Sequence, residues 1–118
     1  MITLDIPWPP SVNHFQGQNG NKRFLSAKTR LFRQKVSDTV SELNLGTLTQ
    51  ACEVFIALYP PDKRKRDIDN YIKQTLDALQ HAGVFEDDSQ VNKLTVIKHE
   101  PIKYGKCSVV VCESDLNG

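Results

Sequence analysis

Cysteine is scarce in this chain and badly spaced for chemistry. Cys52, Cys107 and Cys112 are odd in number, lie in apolar runs and form no CxxC pair. Neither a disulfide framework nor a thiolate metal site is indicated, and reduced, buried thiols in a cytosolic protein are the expected state. His14, His81 and His99 are far apart and share no ligand-like spacing with the cysteines, which argues against zinc. No apolar run is long enough to span a bilayer and no signal peptide is recognisable, so no membrane association is expected. Internal repeats and interdomain linkers are lacking too. Residues 1–118 are expected to form one domain, a length that buries roughly two thirds of the unfolded surface without staples. Net charge is also small, with fifteen Lys and Arg against fourteen Asp and Glu.

The charge that is present is unevenly distributed. Six of the fourteen acidic residues fall between Asp67 and Asp88, immediately after the cationic run Lys63-Arg64-Lys65-Arg66. Inside that stretch Ile68, Ile72, Leu76, Leu79 and Ala82 recur at helical spacing and predict a core-facing stripe. Asp69 reads as the N-cap and Gly83 as the residue just past the C-cap. Asp69, Lys73 and Asp77 recur every four residues and so share one face. If the chain after Gly83 returns beside the helix N-terminus, Glu86-Asp87-Asp88 would join them.

Carboxylates that converge repel unless a cation lies between them. Oxygen donors without soft ligands suit Mg²⁺, for which Mn²⁺ can substitute, and such an ion supports hydrolysis at phosphorus. Cations that steer a polyanion beside anions that hold a metal make sense for a phosphodiesterase. The same residues also have plain readings. A basic run can be a solvated loop, an Asp at a helix start a cap, and an acidic pair after a helix mere surface. On the residues alone both readings stand.

The rest of the chain supplies the frame. Ile2, Leu4 and Ile6 alternate with polar residues as a strand, which Pro7-Trp8-Pro9-Pro10 ends. Trp8 is either a core plug or a base-stacking platform. Ser11 to Arg23, rich in Asn, Gln and Gly, reads as a long loop or lid whose His14, Lys22 and Arg23 are candidates for phosphate contact. A helix is predicted from the N-cap Ser26 to Leu43, with Phe32, Val36, Val40 and Leu43 inward and Gly46 as the stop. Its charges oppose the macrodipole, Lys28, Arg30 and Arg33 early and Asp38 and Glu42 late. That order hints at an external anion such as DNA phosphate. CEVFIALY, Cys52 to Tyr59, reads as a central strand, and Leu94–Glu100 and Cys107–Cys112 alternate as two more. The predicted order is β-α-β-α-β-β, an α/β arrangement of the two-layer α+β kind: a single mixed sheet with helices packed on it.

The residues RDIDN, the lysine four positions after the second Asp, DALQHAGVFEDDSQV and the early PWPPSVN together resemble the RusA-type Holliday junction resolvases, over Ile6 to about Lys98. The resemblance implies a homodimeric, Mg²⁺-dependent endonuclease that resolves four-way junction DNA by paired cuts, cytoplasmic in a bacterial or prophage setting. Carried over by position, it makes Asp67, Asp69 and Asp88 the metal-site aspartates and Lys73 the catalytic lysine. Asn70 and Asp77 would stand behind them. Lys63, Arg64, Lys65 and Arg66 would grip DNA backbone, with Lys22, Arg23, Lys28 and Arg30 as further contacts. Two other classes remain for comparison: a non-catalytic DNA-binding module of the same fold, and a hydrolase of small phosphodiesters.

Overall fold

Alternation of apolar and polar residues builds a four-stranded sheet, seen here in a computed structural model that describes residues 1–11, 16–19 and 22–114. Strand β1 is Ile2–Ile6, β4 Cys52–Tyr59, β5 Val91–Lys98 and β6 Lys106–Glu113, with β2 Gln16–Asn19 and β3 Lys22–Leu25 forming a separate hairpin. The helices are α1, Ala27–Leu43, and α2, Asp69–His81, and a short 3₁₀ turn covers Asp88–Gln90. The sheet order is β1-β6-β4-β5, with β4 and β5 parallel and the other pairs antiparallel. Parallel neighbours need a crossover, and the segment carrying α2 supplies it.

One face of this sheet carries Leu4, Ile6, Val54, Ile56, Leu58, Val109 and Val111, all buried in one core with Phe32 and Val36 of α1 and Ala78 and Leu79 of α2. Burying such a side chain contributes about 1.5–3 kcal/mol, so this cluster is the main source of stability. Phe55 and Ile97 lie among the exposed apolar residues. The architecture is the predicted mixed sheet with helices packed on it. Cys52 and Cys107 are buried and free, as expected, and burial pushes the Cys107 thiol up to about 12. Cys112 is only partly buried, because β6 alternates and its inward positions are 107, 109 and 111.

Ser26 caps α1 as predicted, accepting from the Thr29 N–H at 3.2 Å. The helix ends at Leu43 as predicted, but the residue that stops it is Asn44 in place of Gly46, in the left-handed region at φ 52°, a conformation asparagine tolerates. The predicted loop from Ser11 to Arg23 is corrected by the β2–β3 hairpin, in which Gln16 pairs with Leu25 and Asn19 with Lys22. In the sequence the two strands are separated by Gly20-Asn21, a dipeptide of the hairpin type. His14 lies outside the described residues.

Helix α2 keeps part of its predicted face, with Leu79 in the core and Leu76 and Ala82 packed against it, and departs from the rest. Its buried residues are Tyr71, Gln74, Thr75, Ala78 and Leu79, whereas Ile68 is 36% exposed. The cap is also corrected: Ile68 occupies the N-cap position without any side-chain cap bond, and Asp69 is the first helical residue. Backbone bonds from Asn70 N–H to the Asp67 carbonyl and from Tyr71 N–H to the Ile68 carbonyl close the first turn, so no carboxylate is needed there. At the other end Gly83, at φ 86°, donates to Gln80 and Val84 donates to Leu79, the paired bonds of a Schellman stop.

The turn between β5 and β6 brings the chain back against the start of the molecule. Gly105, at φ 70°, sits so close that a Cβ there would meet the Trp8 Cβ at 3.0 Å and Pro61 at 3.2 Å. Gly105→Ala therefore suffers both a left-handed backbone and a clash with half-buried neighbours. A loss of about 1–3 kcal/mol is expected, read as a lower denaturant midpoint with a shifted Trp8 emission. An unchanged midpoint would show that this contact is loose.

Candidate active site

Two pieces of local structure bring the charged stretch together. The first is the loop entering α2, Asp62 to Asp67, which Asp62 organises. Its carboxylate accepts from the Arg64 backbone N–H at 2.9 Å and from the Arg66 guanidinium at 2.8 Å, with the Arg64 guanidinium at 3.3 Å. These bonds, the Arg66 one foremost, hold the Asp62 carboxyl down at about 2. Arg66 also donates to the Asp62 and Arg64 carbonyls and lies 5.6 Å from the centre of the Trp8 ring. Its side chain is only 12% exposed, so it braces the loop from inside. The Lys98 ammonium fixes the same loop from β5, donating to the Arg66 carbonyl at 3.0 Å. Lys63 and Lys65 remain exposed, without an ion pair among the described residues.

The second piece is the turn after α2. Gln90 accepts on its side-chain oxygen from the Glu86 and Asp87 N–H groups and donates to the Leu48 and Gln50 carbonyls. Asp87 caps the 3₁₀ turn, and the Asp88 N–H donates to the Gln80 side chain at 2.9 Å. The turn is thus tied to α2 on one side and to the 48–50 segment on the other. That fixes Asp88 over the α2 surface.

Lys73 of α2 reaches the second piece. Its ammonium lies 3.1 Å from Asp77 and 3.6 Å from Asp88. Hydrogen bonding and attraction from Asp77, then attraction from Asp88, raise its pKa above the ordinary lysine value. Lys73 is therefore a fixed cation and not a proton acceptor at neutral pH. On its far side Asp77 is met by the Arg33 guanidinium of α1 at 3.9 Å, and both groups are largely screened from solvent.

Of the residues singled out in the sequence, Lys73, Asp77 and Asp88 form this network, while Asp67 and Asn70 line a cavity with Lys65 and Arg66. Asp67 and Asp69 are exposed, and their carboxylates make no hydrogen bond or ion pair among the described residues. Asp69 is not drawn into the Lys73 pair despite its spacing. No group of three acidic, His or Cys side chains is close enough among the described residues to enclose an ion. In donor chemistry the three aspartates suit a hard divalent cation, since all are oxygen ligands and two have no partner to displace.

Lys28 and Arg30 are exposed on α1, and Lys22 and Arg23 lie on β3. Three residues with structural parts in the site were given no role in the sequence, Asp62, Gln80 and Gln90, and Arg33, read there as a cation facing an external anion, instead meets Asp77. Only Asp62 had a sequence signal, standing two and four residues before Arg64 and Arg66.

The site is thus a lysine of α2 held between two carboxylates, on a small α+β domain whose cationic loop leads into the same helix. Residues 7–111 match the family model described as Endodeoxyribonuclease RusA, and the chain belongs to that family. It is 32% identical over 109 residues to the crossover junction endodeoxyribonuclease rusA of Enterobacteria phage HK97, covering 92% of this chain and 91% of that protein. To the protein of the same name from Enterobacteria phage 82 it is 34% identical over 112 residues, 93% and 92% of the two chains. To that of Escherichia coli K12 it is 33% identical over 113 residues, 94% and 93%. No helix among the described residues is long and apolar enough to cross a membrane.

Proposed function

We propose that the chain is a crossover junction endodeoxyribonuclease that resolves four-way DNA junctions. The observation that carries the reading is Lys73, held as a cation at 3.1 Å from Asp77 and 3.6 Å from Asp88 on the helix that the cationic loop enters. Its family membership and the names of its relatives support the substrate.

In this reading Asp67, Asp69 and Asp88 hold Mg²⁺, with Mn²⁺ as a substitute. The ion, when bound, supplies an acidified water and offsets charge at the phosphoryl group. Lys73 adds a fixed positive charge toward the phosphoryl oxygens, and Asp77, anchored by Arg33, holds it in place. Hydrolysis joins the water oxygen to phosphorus and breaks the bond to the 3′ oxygen, which leaves with a proton. The product ends are a 5′ phosphate and a 3′ hydroxyl. Lys63 and Lys65 grip the DNA backbone, while Asp62 and Arg66 keep their loop in shape.

A near two-fold substrate is matched by a two-fold protein, so a homodimer, each copy cutting one of two opposed strands, completes the proposal. The test is a cleavage assay comparing a mobile four-way junction, the matching duplex and a chromogenic phosphodiester in Mg²⁺. Paired cuts in the junction alone are expected. Junction binding without cleavage in Mg²⁺ or Mn²⁺ would leave only a DNA-binding module. Turnover of the small ester with the junction intact would indicate a small-phosphodiester hydrolase.

Replacing Lys63 and Lys65 by Ala should act on binding, not on chemistry. Each lost phosphate contact should flatten the dependence of log affinity on log salt by roughly 0.9. An unchanged slope would mean that these lysines stay in solvent when DNA is bound.

A further inference from the structure

Next to the cavity that Asp67 lines is another that the phosphodiester chemistry leaves without a use. It has a volume of about 540 Å³ and is bounded by the prolines after β1, the first half of α1 and the cationic loop. Its walls include the aromatic rings of Trp8, Phe32 and Tyr71, and its rim carries Lys28, Lys35 and Lys65. Trp8 stands against Tyr71 with ring centres 4.7 Å apart. The three lysines are exposed and have no ion pair among the described residues, and no Asp or Glu lines the cavity. Leu31, an apolar residue 57% exposed, stands at the same cavity. An apolar, aromatic interior under unneutralised cations matches an aromatic base joined to a phosphate.

Two features select the occupant. Size is one: a cavity in the range of small-ligand pockets takes a single nucleotide, not a base pair within a duplex. Position is the other. A second cavity, bounded by Asp67 and Asn70, shares Ser11, Lys65, Arg66 and Tyr71 with the first. A nucleotide in the first cavity therefore leads its strand directly to Asp67.

We infer that this cavity receives one unstacked nucleotide of the DNA strand, next to the phosphate that is cut. The inference rests on the junction-nuclease reading and deepens it: the point where four duplex arms meet is where a base leaves its stack at least cost. Selectivity for branched over linear DNA then comes in part from a pocket that only an unpaired base can enter.

Trp8 is the single tryptophan of the chain, so its emission reports on this cavity without a label. The protein is titrated in EDTA with a four-way junction, with a matching duplex and with a short single-stranded oligonucleotide, and binding is followed in parallel by anisotropy of labelled DNA. Junction and single strand are expected to quench Trp8, and bound duplex to leave it unchanged. Lys35→Glu, an exposed change, should remove the quench by the single strand. Trp8→Leu should weaken junction binding between about five- and hundredfold, the scale of one lost base stack. Junction binding with unaltered Trp8 emission, or equal quenching by duplex, would overturn the inference and leave the nuclease reading intact. No junction binding at all would overturn both.

Discussion

Asp69→Asn is expected to reduce junction cleavage by about a thousandfold or more while junction binding survives. Asp69 is the first residue of α2 and its carboxylate caps nothing, so its loss leaves the backbone pattern intact. The cost to folding is the lost interaction of one negative charge with a helix N-terminus, about 0.3–1 kcal/mol. The cost to chemistry is larger. A metal ion's stabilisation of the transition state is worth several kcal/mol, and each 1.36 kcal/mol is tenfold in rate. Binding should tighten slightly, because a like charge is removed near the approaching phosphate. Asp67→Asn and Asp88→Asn should lose cleavage in the same way. Wild-type rates in any of the three would sink the assignment of that residue.

Lys73→Ala is expected to slow cleavage by roughly a hundred- to a thousandfold, the usual effect of deleting one preorganised charge from a site. Stability should barely change. The Lys73 side chain is 61% exposed, and exposed pairs at this spacing contribute about 0.3–0.5 kcal/mol. Because its pKa is raised, the stabilising pair is fully present below the ordinary lysine value of 10.5 and is lost only as pH climbs through the higher folded value. The rate profile should therefore show no limb from Lys73 near neutrality. Asp77→Asn, which loosens the lysine without touching substrate, should reproduce part of the loss, and Lys73→Arg should recover part of the rate. If Lys73 instead served as a general base, rate would rise with pH through the neutral range and Lys73→Arg would be as inactive as Lys73→Ala.

Physical causes separate what the sequence made legible from what it hid. Strands such as Ile2–Ile6 and Cys52–Tyr59 were readable because alternation reports directly which face is buried. The Ser26 cap and the Gly83 stop were readable because each has a local chemical cause. The buried face of α2 was misread in part because it carries Gln74 and Thr75, both at most 1% exposed. Hydropathy favours Ile68 and Ile72 for the same helix. Thr75 is accommodated by donating to the Tyr71 carbonyl at 2.9 Å, a satisfaction that composition does not reveal. The N-cap was misread for a related reason: Asp69 has the right chemistry for a cap, but the chain turns one residue earlier.

The candidate site divides in the same way. The i,i+4 spacing of Lys73 and Asp77 was visible, and their 3.1 Å contact follows from it. The approach of Asp88 depends on Gln80 and Gln90, whose bonds reach across the turn and, for Gln90, forty or more residues back along the chain. Arg33 meets Asp77 only because α1 packs on α2. The cationic run looked like four equivalent residues in sequence. Asp62 splits it into two arginines that pair with it and two lysines that have no ion pair among the described residues.

The most direct measurement is the fate of a supercoiled plasmid carrying an extruded cruciform, incubated with the protein and Mg²⁺ and compared with the same plasmid lacking the inverted repeat. Cutting of two opposed strands at one junction predicts linear product from the cruciform plasmid and none from the control. Mixed protein carrying one Asp69→Asn copy per pair should stop at the nicked circle. A cruciform plasmid that stays supercoiled, or a control plasmid cut equally fast, would contradict the account.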